Sequence, residues 1–525
     1  MARQQNTPDE AAQNNEYGNL FGAPRYFRLP GTEHEFDRGK ILFVILLPLM
    51  MTLMQISSVN NALPAIQSSM HISSSALQWV LAGYALAIGL TLVPFGRIGD
   101  IFGRSRIFFI GLIIFTVTSL LVGTSTNSVM LNLLRFLQGI GSGILGPQIT
   151  GLIQEHFSGR ARAIAYSFFG LAISISVAAG PLLTGVLLGA FGDAVGWRLS
   201  FIINTPLGLL GLFLAWRWLP LPRKIYRTDD AASGSLSLPA SSESMRKNSE
   251  KSAKSRLDLD PIGMLLLTFS VLGIMLPLMM PEGTWKWLIT VAALLLLFLW
   301  VKWESHYSAL GRFPMVDLQL FKIPTFTYSA AISTLQFMGT TSVFAVLAIY
   351  LQSGLGMSAF QFGILNLPSA TLAGVAAMWA GKHSYDHGRG LQVFALILIL
   401  IGLATAISFA YFAETGLSFW WFMIPTMFIG FGNGTMGSAN QTQAMLDVPS
   451  EHGGTAGGIM QTGQRLSTAI GTALVTAVFF SFHAKSTNEA HGWFIGFSAA
   501  YITIFTIIVV ALSISLLFWK QGRRA

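Results

Sequence analysis

Two arginines, Arg135 and Arg465, stand inside long apolar runs whose middles hold no Asp, Glu or His. An arginine keeps its proton at any accessible pH, so the chemistry open to it there is binding: an anion, carbonyl oxygens or an aromatic face. At a bilayer centre such a residue costs roughly 2.5–3.5 kcal/mol on insertion scales, and it must face a partner or a wet cavity. Gln55, Asn60 and Gln138 supply amides in neighbouring runs, and Gln461 and Gln464 flank Arg465. A second concentration of charge is GRIGDIFGRSR, residues 96–106, in which three arginines and Asp100 alternate with three glycines. Catalysis has little to draw on. The chain has no Cys, which excludes a disulfide framework and a Cys-ligated metal, and His383, Asp386 and His387 are scattered loop residues rather than a metal or catalytic cluster. No metal, cofactor or nucleotide motif occurs, and an enzyme is not expected.

The elements that position these groups follow from composition. Of 525 residues, 52% are hydrophobic and 10% charged, against about 25% charged in soluble domains, so the expected solvent is a bilayer. A helix crosses it with about 20 apolar residues. That length predicts fourteen spans: 41–63, 77–97, 106–126, 129–151, 163–189, 200–220, 261–281, 285–304, 326–352, 360–383, 391–413, 418–442, 454–482 and 493–519. The basic residues test the list, because short loops rich in Lys and Arg stay cytoplasmic. With both termini inside, only Arg198, Lys286 and Lys485 fall outside and only Arg135 and Arg465 in spans. The rest of the 32 basic residues face the cytoplasm, so the formal charge of +9 needs no nucleic-acid partner. The predicted organisation is a cytoplasmic tail (1–40), a six-helix half (41–220), a Ser- and charge-rich disordered linker (221–260), two inserted helices (261–304), a second six-helix half (326–519) and a short tail (520–525).

An internal repeat supports the two halves. GIGSGILG, residues 139–146, returns as GFGNGTMG, residues 430–437, with all four glycines in register, and Gly180 matches Gly471 at the same offset. Gly96, Gly103 and Arg104 return as Gly381, Gly388 and Arg389. Close helix packing in membranes favours small residues anyway, but three matches in one order favour duplication. Two six-helix halves around a site near mid-membrane are the architecture of rocking transporters.

Here the sequence resembles the major facilitator superfamily, and within it the fourteen-span drug:proton antiporter branch. GRIGDIFGRSR is similar to the superfamily's signature between spans two and three, through Gly96, Asp100, Gly103, Arg104 and Arg106. LLRFLQGIGSG from 133 is similar to the fourth-span signature, with Arg135, Gln138 and Gly139. GLAISISVAAGPLLTG from 170 resembles the antiporter signature of span five, with Gly180, Pro181 and Gly185. NNALP (60–64) and WRLSFIINTPLG (197–208) resemble branch-specific stretches. Three positions depart from the pattern: Gln55 stands where the first span usually has an aspartate, Ile101 where an arginine follows the loop aspartate, and Thr184 where span five has a glycine.

The resemblance implies an all-α, multi-pass protein of the cell (plasma or inner) membrane that carries a small-molecule substrate, with protons as the candidate co-substrate and lipid as its surroundings. It implies no oligomer. It also implies that Asp100 sits against the start of span thirteen, making Gly96, Asp100, Gly103 and Arg104 a conformational latch; the alternative is that these charges only fix topology. Gly180, Pro181 and Gly185 would bend span five, or serve packing alone. Gln55 and Arg135 lie at similar depth and could meet. With two fixed cations and no buried mid-span carboxylate, the expected cargo is an organic anion or weak acid. Facilitated diffusion without proton coupling and a non-transporting sensor with the same fold are the alternatives; Gln55 keeps both open, and Ile101 adds to the second.

Overall fold

The computed structural model describes residues 19–20, 23–28, 35–220, 260–279, 283, 285–310, 312, 314–414, 416–486 and 488–524. The helices in chain order are α1 (Arg38–Met70), α2 (Ser74–Phe102), α3 (Arg104–Gly123), α4 (Ser128–His156), α5 (Gly159–Ile202), α6 (Asn204–Trp218), α7 (Pro261–Met279), α8 (Trp285–Ala309), α9 (Pro324–Ile349), α10 (Ala359–Glu414), α11 (Met423–Ala444), α12 (Gly453–His483) and α13 (Glu489–Arg524). Side-chain caps fix several starts. Asp37 accepts from the Gly39 N–H at 2.8 Å, Ser73 from Ala76 at 3.2 Å and Asn127 from Met130 at 2.8 Å.

Ten helical stretches among the described residues are long and apolar enough to cross a membrane. Two of them are doubled. The 60-residue stretch Gly159–Trp218 contains Gly192 at φ 72°, and the 55-residue stretch Phe360–Glu414 contains His387 at φ −125°, ψ 18°. Helices α7 and α11 fall short of the same length-and-hydropathy measure.

Several expectations change. Residues 98–105 form almost no loop: α2 runs to Phe102, α3 begins at Arg104, and Gly103 alone turns the chain at φ 97°. Only glycine adopts that backbone without strain. The predicted outside loop 190–199 is helical except for Gly192. Backbone through Gly180 and Pro181 keeps helical φ/ψ, and the non-helical residue of this element is Gly192. The tail before residue 41 includes an antiparallel strand pair, Tyr26–Arg28 with Glu35–Asp37, which packs Phe27 on His156 at 5.2 Å. The linker at 221–259 lies outside the described residues.

The glycine repeat takes a physical form. A Cβ at Gly139 would strike the Tyr84 carbonyl oxygen, and one at Gly430 that of Ser369; Gly143 faces the Ile88 carbonyl and Gly434 that of Ala373. Gly180 presses on the Met54 carbonyl and Gly471 on that of Met338. In each pair, equivalent glycines let equivalent helices approach backbone to backbone, as small residues do in lipid, where hydrophobicity does not drive helices together. The seam obeys the same symmetry: α2 packs on α12, and α5 packs on the first half of α10. Helices α7 and α8 pack on each other, and α7 leans on α2 and α12.

Cross-seam hydrogen bonds gather at the end bearing residues 96–106. Gln154 Nε2 donates to the Met445 and Val448 carbonyls (3.0 and 2.8 Å), Arg162 donates to Met445 (3.1 Å), and Arg160 pairs with Asp386 at 2.9 Å. The series extends inward to the weak Gln461–Thr150 contact at 3.4 Å. At the opposite end of α5, Gly185, Gly189 and Gly192 have open space around them.

The glycine contacts give a paired prediction. Gly434→Ala should lower the thermal unfolding midpoint of the detergent-solubilised protein by the equivalent of about 1–3 kcal/mol, since its methyl meets the Ala373 backbone. Gly437→Ala, where no atom lies within 4 Å, should leave the midpoint unchanged or raise it. Equal losses in both would remove the packing role.

Candidate functional site

Arg135, on α4, is 1% exposed and fully engaged by its own half. Its Nε donates to the Val80 carbonyl at 3.1 Å, its Nη1 to Gln138 Oε1 at 2.7 Å, and Gln138 passes the chain on to Ser119 Oγ at 2.8 Å. The guanidinium lies 4.1 Å from the Tyr84 ring centroid and 5.4 Å from that of Phe201. A desolvated cation–π contact contributes about 2 kcal/mol, and bonds from a charged donor about 1.5–3 kcal/mol each, so these partners offset the cost of placing the charge. Gln55 is also buried, but the structure does not bring it to Arg135. Its Oε1 accepts from Asn204 Nδ2 at 2.6 Å, while its Nε2 has no hydrogen-bond partner. Asn60 is exposed on α1.

Arg465, on α12, contrasts with Arg135. It is half-buried, and among the described residues no hydrogen bond or ion pair engages it. The Tyr84 ring packs on Arg135 and is within electrostatic reach of Arg465 as well. Among the described residues no carboxylate is placed against either arginine. Other polar pairs bind each other: Gln464 Nε2 donates to Ser333 Oγ at 2.8 Å and Gln336 Nε2 to Asn433 Oδ1 at 3.0 Å. Sequence reasoning missed Tyr84 and Asn204. Asn204 sits inside the quoted WRLSFIINTPLG stretch, whereas nothing in the spacing distinguishes Tyr84 from other span aromatics.

The other predicted cluster assembles at the crowded end of the seam. Asp100 is in the last turn of α2 and meets the N-terminus of α12. Its Oδ1 accepts from the Gly454 N–H at 3.1 Å, and its Oδ2 accepts from the Thr455 N–H and hydroxyl at 2.8 Å each. Arg104 Nε and Nη2 donate to Asp100 Oδ1 at 2.9 and 2.7 Å, Nη1 donates to the Gly151 carbonyl at 2.8 Å, and Nη2 also reaches the Ser450 carbonyl. Gly96 makes this possible, because a methyl there would stand 2.7 Å from the Gly454 oxygen. A buried carboxylate thus fills the unpaired amides of one helix while a guanidinium balances its charge. Gly180 serves as a packing face against Met54 and Ser57, and Gly185 touches nothing within 4 Å. A recess of about 450 Å³ lined by Arg162, Tyr385, Thr442 and Asp447 opens at this same end, away from Arg465.

With this geometry in view, comparisons with known proteins agree on one family. The sequence model of the Major Facilitator Superfamily matches residues 45–472. The chain is 28% identical over 468 residues to the probable actinorhodin transporter of Streptomyces coelicolor, covering 88% of this chain and 74% of that one. It is 25% identical to the tetracenomycin C resistance and export protein of Streptomyces glaucescens (84% and 76% covered) and 25% identical to a riboflavin transporter of Clostridioides difficile (92% and 97%). In fold it is similar to the human organic anion transporter MFSD10, with a TM-score of 0.60 at 13% identity over 91% of this chain and 99% of that one. A second similar structure is the proton:xylose symporter XylE, at 0.61 and 14% over 92% and 95%. Helical spans, paired glycines and the family match lead to one conclusion: the chain belongs to the major facilitator superfamily and is a multi-pass membrane transporter of small molecules, not an enzyme.

Proposed function

We propose that the protein exports small amphipathic organic anions or weak acids across the cell membrane by alternating access, linked to the proton gradient. The observation that carries the substrate class is Arg465: a half-buried guanidinium that has, among the described residues, no ion pair and no carboxylate against it, with a second cation near the same Tyr84 ring. An anionic cargo supplies the missing counter-charge, whereas a cationic one enters an unfavourable field. Relatives named as antibiotic exporters support the direction of transport.

In this reading the chain crosses fourteen times with both termini cytoplasmic. The breaks at Gly192 and His387 divide two long stretches, and α7 and α11 supply the two remaining crossings. Residues 41–220 and 326–519 are the moving halves, and 261–304 is an inserted pair. The end bearing residues 96–106 is then cytoplasmic, and hydrogen bonds close the seam there, so the conformation described is outward-facing. Asp100 and Arg104 act as the latch of that state, because Asp100's bonds to Gly454 and Thr455 exist only while α2 and α12 touch. One observation favours a facilitator without proton coupling as the second reading. Gln55 replaces an ionisable group and is held by Asn204.

Uptake into inverted membrane vesicles tests these assignments. A panel of carboxylates and lipophilic cations should show carboxylate uptake that Arg465→Gln weakens roughly 10–100-fold in apparent KM, the loss of one charged contact of about 1.5–3 kcal/mol. Cation uptake with carboxylates ignored would overturn the substrate class. Collapse of the proton gradient should abolish accumulation; a facilitator would still equilibrate its cargo. Asp100→Asn should cut the transport rate while leaving insertion and expression intact, and wild-type rates in that variant would remove the latch.

A further inference from the structure

On the flank of the seam away from Asp100, opposite charges face one recess without meeting. The recess of about 450 Å³ is walled by Gly159 and Arg162 from α5 and by Tyr385, Thr442, Leu446 and Asp447 from the other half, so both halves enclose it. Arg162 gives its Nε to the Phe157 carbonyl at 2.8 Å and its Nη1 to that of Met445 at 3.1 Å, which leaves Nη2 and the positive charge without a carboxylate among the described residues. The Tyr385 phenol lies within electrostatic reach of Arg162, and among the described residues its hydroxyl has no hydrogen-bond partner. Across the recess, Asp447 is exposed; its Oδ2 accepts from the Thr325 hydroxyl at 2.9 Å, and among the described residues no cation pairs with it. Thr442 donates its own proton to the Ser438 carbonyl at 2.9 Å, so its oxygen is left as an acceptor.

The lining is therefore divided, with donors and a positive charge at Arg162 and Tyr385, and acceptors and a negative charge at Asp447 and Thr442. A simple anion would be repelled by Asp447 and a simple cation by Arg162, whereas a zwitterion meets complementary charge on both sides. A guanidinium fork matches phosphate oxygens, and a primary ammonium brings three N–H donors to a set of acceptors that a quaternary ammonium could not satisfy. We propose that the recess binds a phosphoethanolamine group, its phosphate on Arg162 and Tyr385 and its ammonium on Asp447 and the Thr442 oxygen. A phospholipid headgroup and a soluble phosphodiester are the two sources of that chemistry. Because Arg162 belongs to one half and the acceptors to the other, the group binds while the halves touch at this end and so stabilises the conformation described. The inference depends neither on the cargo nor on which side of the membrane this end meets.

Native mass spectrometry of the full-length protein in detergent, titrated with phosphatidylethanolamine, phosphatidylcholine or phosphatidylglycerol of identical acyl chains, tests it. Phosphatidylethanolamine should be retained at least about tenfold more tightly than the other two, the effect of one charge-assisted contact. Asp447→Asn, which keeps an acceptor for Thr325, should erase the difference between the ethanolamine and choline lipids, and Tyr385→Phe should weaken retention of the ethanolamine lipid. Soluble glycerophosphoethanolamine separates the sources: competition at concentrations equal to the lipid's assigns the site to a soluble ligand, and competition only in large excess assigns it to the headgroup. Equal retention of the ethanolamine and choline lipids by the wild type would overturn the proposal without any variant. A preference that survives Asp447→Asn, or displacement of the lipid by glycine as readily as by glycerophosphoethanolamine, would overturn it as well.

Discussion

A helix that begins inside a protein leaves its first amides without partners, and the seam between the halves is organised around that deficit. Helix α12 starts at Gly453 in a buried position, and Asp100 from the opposite half accepts from Gly454 and Thr455. The carboxylate alone would be a buried charge. Arg104 neutralises it and extends to the Gly151 carbonyl, so α2, α3, α4 and α12 meet at one ionic knot. Glycine at 96 and 454 lets the backbones come close enough for these bonds to form. Such an arrangement suits a contact made in one conformation and broken in another, because its energy comes from a few directional bonds rather than from a broad apolar surface.

The two arginines illustrate how context divides residues of one type. Arg135 has its counter-surface built in: carbonyl, amide and two aromatic faces take up its donors and its charge. Among the described residues Arg465 has no such provision. The first charge is thus accounted for by framework contacts and the second is not, although both look alike as isolated cations in apolar runs.

Much of the fold was legible because bilayer thickness imposes a single length on every span and the repeat pairs glycines across the halves. Span edges read less well. Residues 98–102 and 104–105 read as loop for their charges and glycines yet are helical, since Asp100 and Arg104 satisfy each other and leave only Gly103 to turn. Composition cannot report such pairing. Arg135 is legible as a charge in the wrong solvent, the most visible signal a membrane sequence offers, Asp100 and Arg104 as a concentration of charge between two apolar runs, and Gln138 through the family resemblance. Tyr84 and Asn204 are not, because an aromatic or an amide in a span is ordinary until its neighbour across the bundle is known.

The two related contacts of the seam are fastened unequally. Where α2 meets α12, a sequestered carboxylate holds the joint; where α5 meets α10, its counterpart position is Tyr385, and the ionic link is the exposed pair Arg160–Asp386. Water screens the exposed pair and spares the hidden one. Separation of the halves at this end should accordingly begin along the Tyr385 flank and reach the Asp100 flank last, so the bundle swings open like a door hinged on one edge.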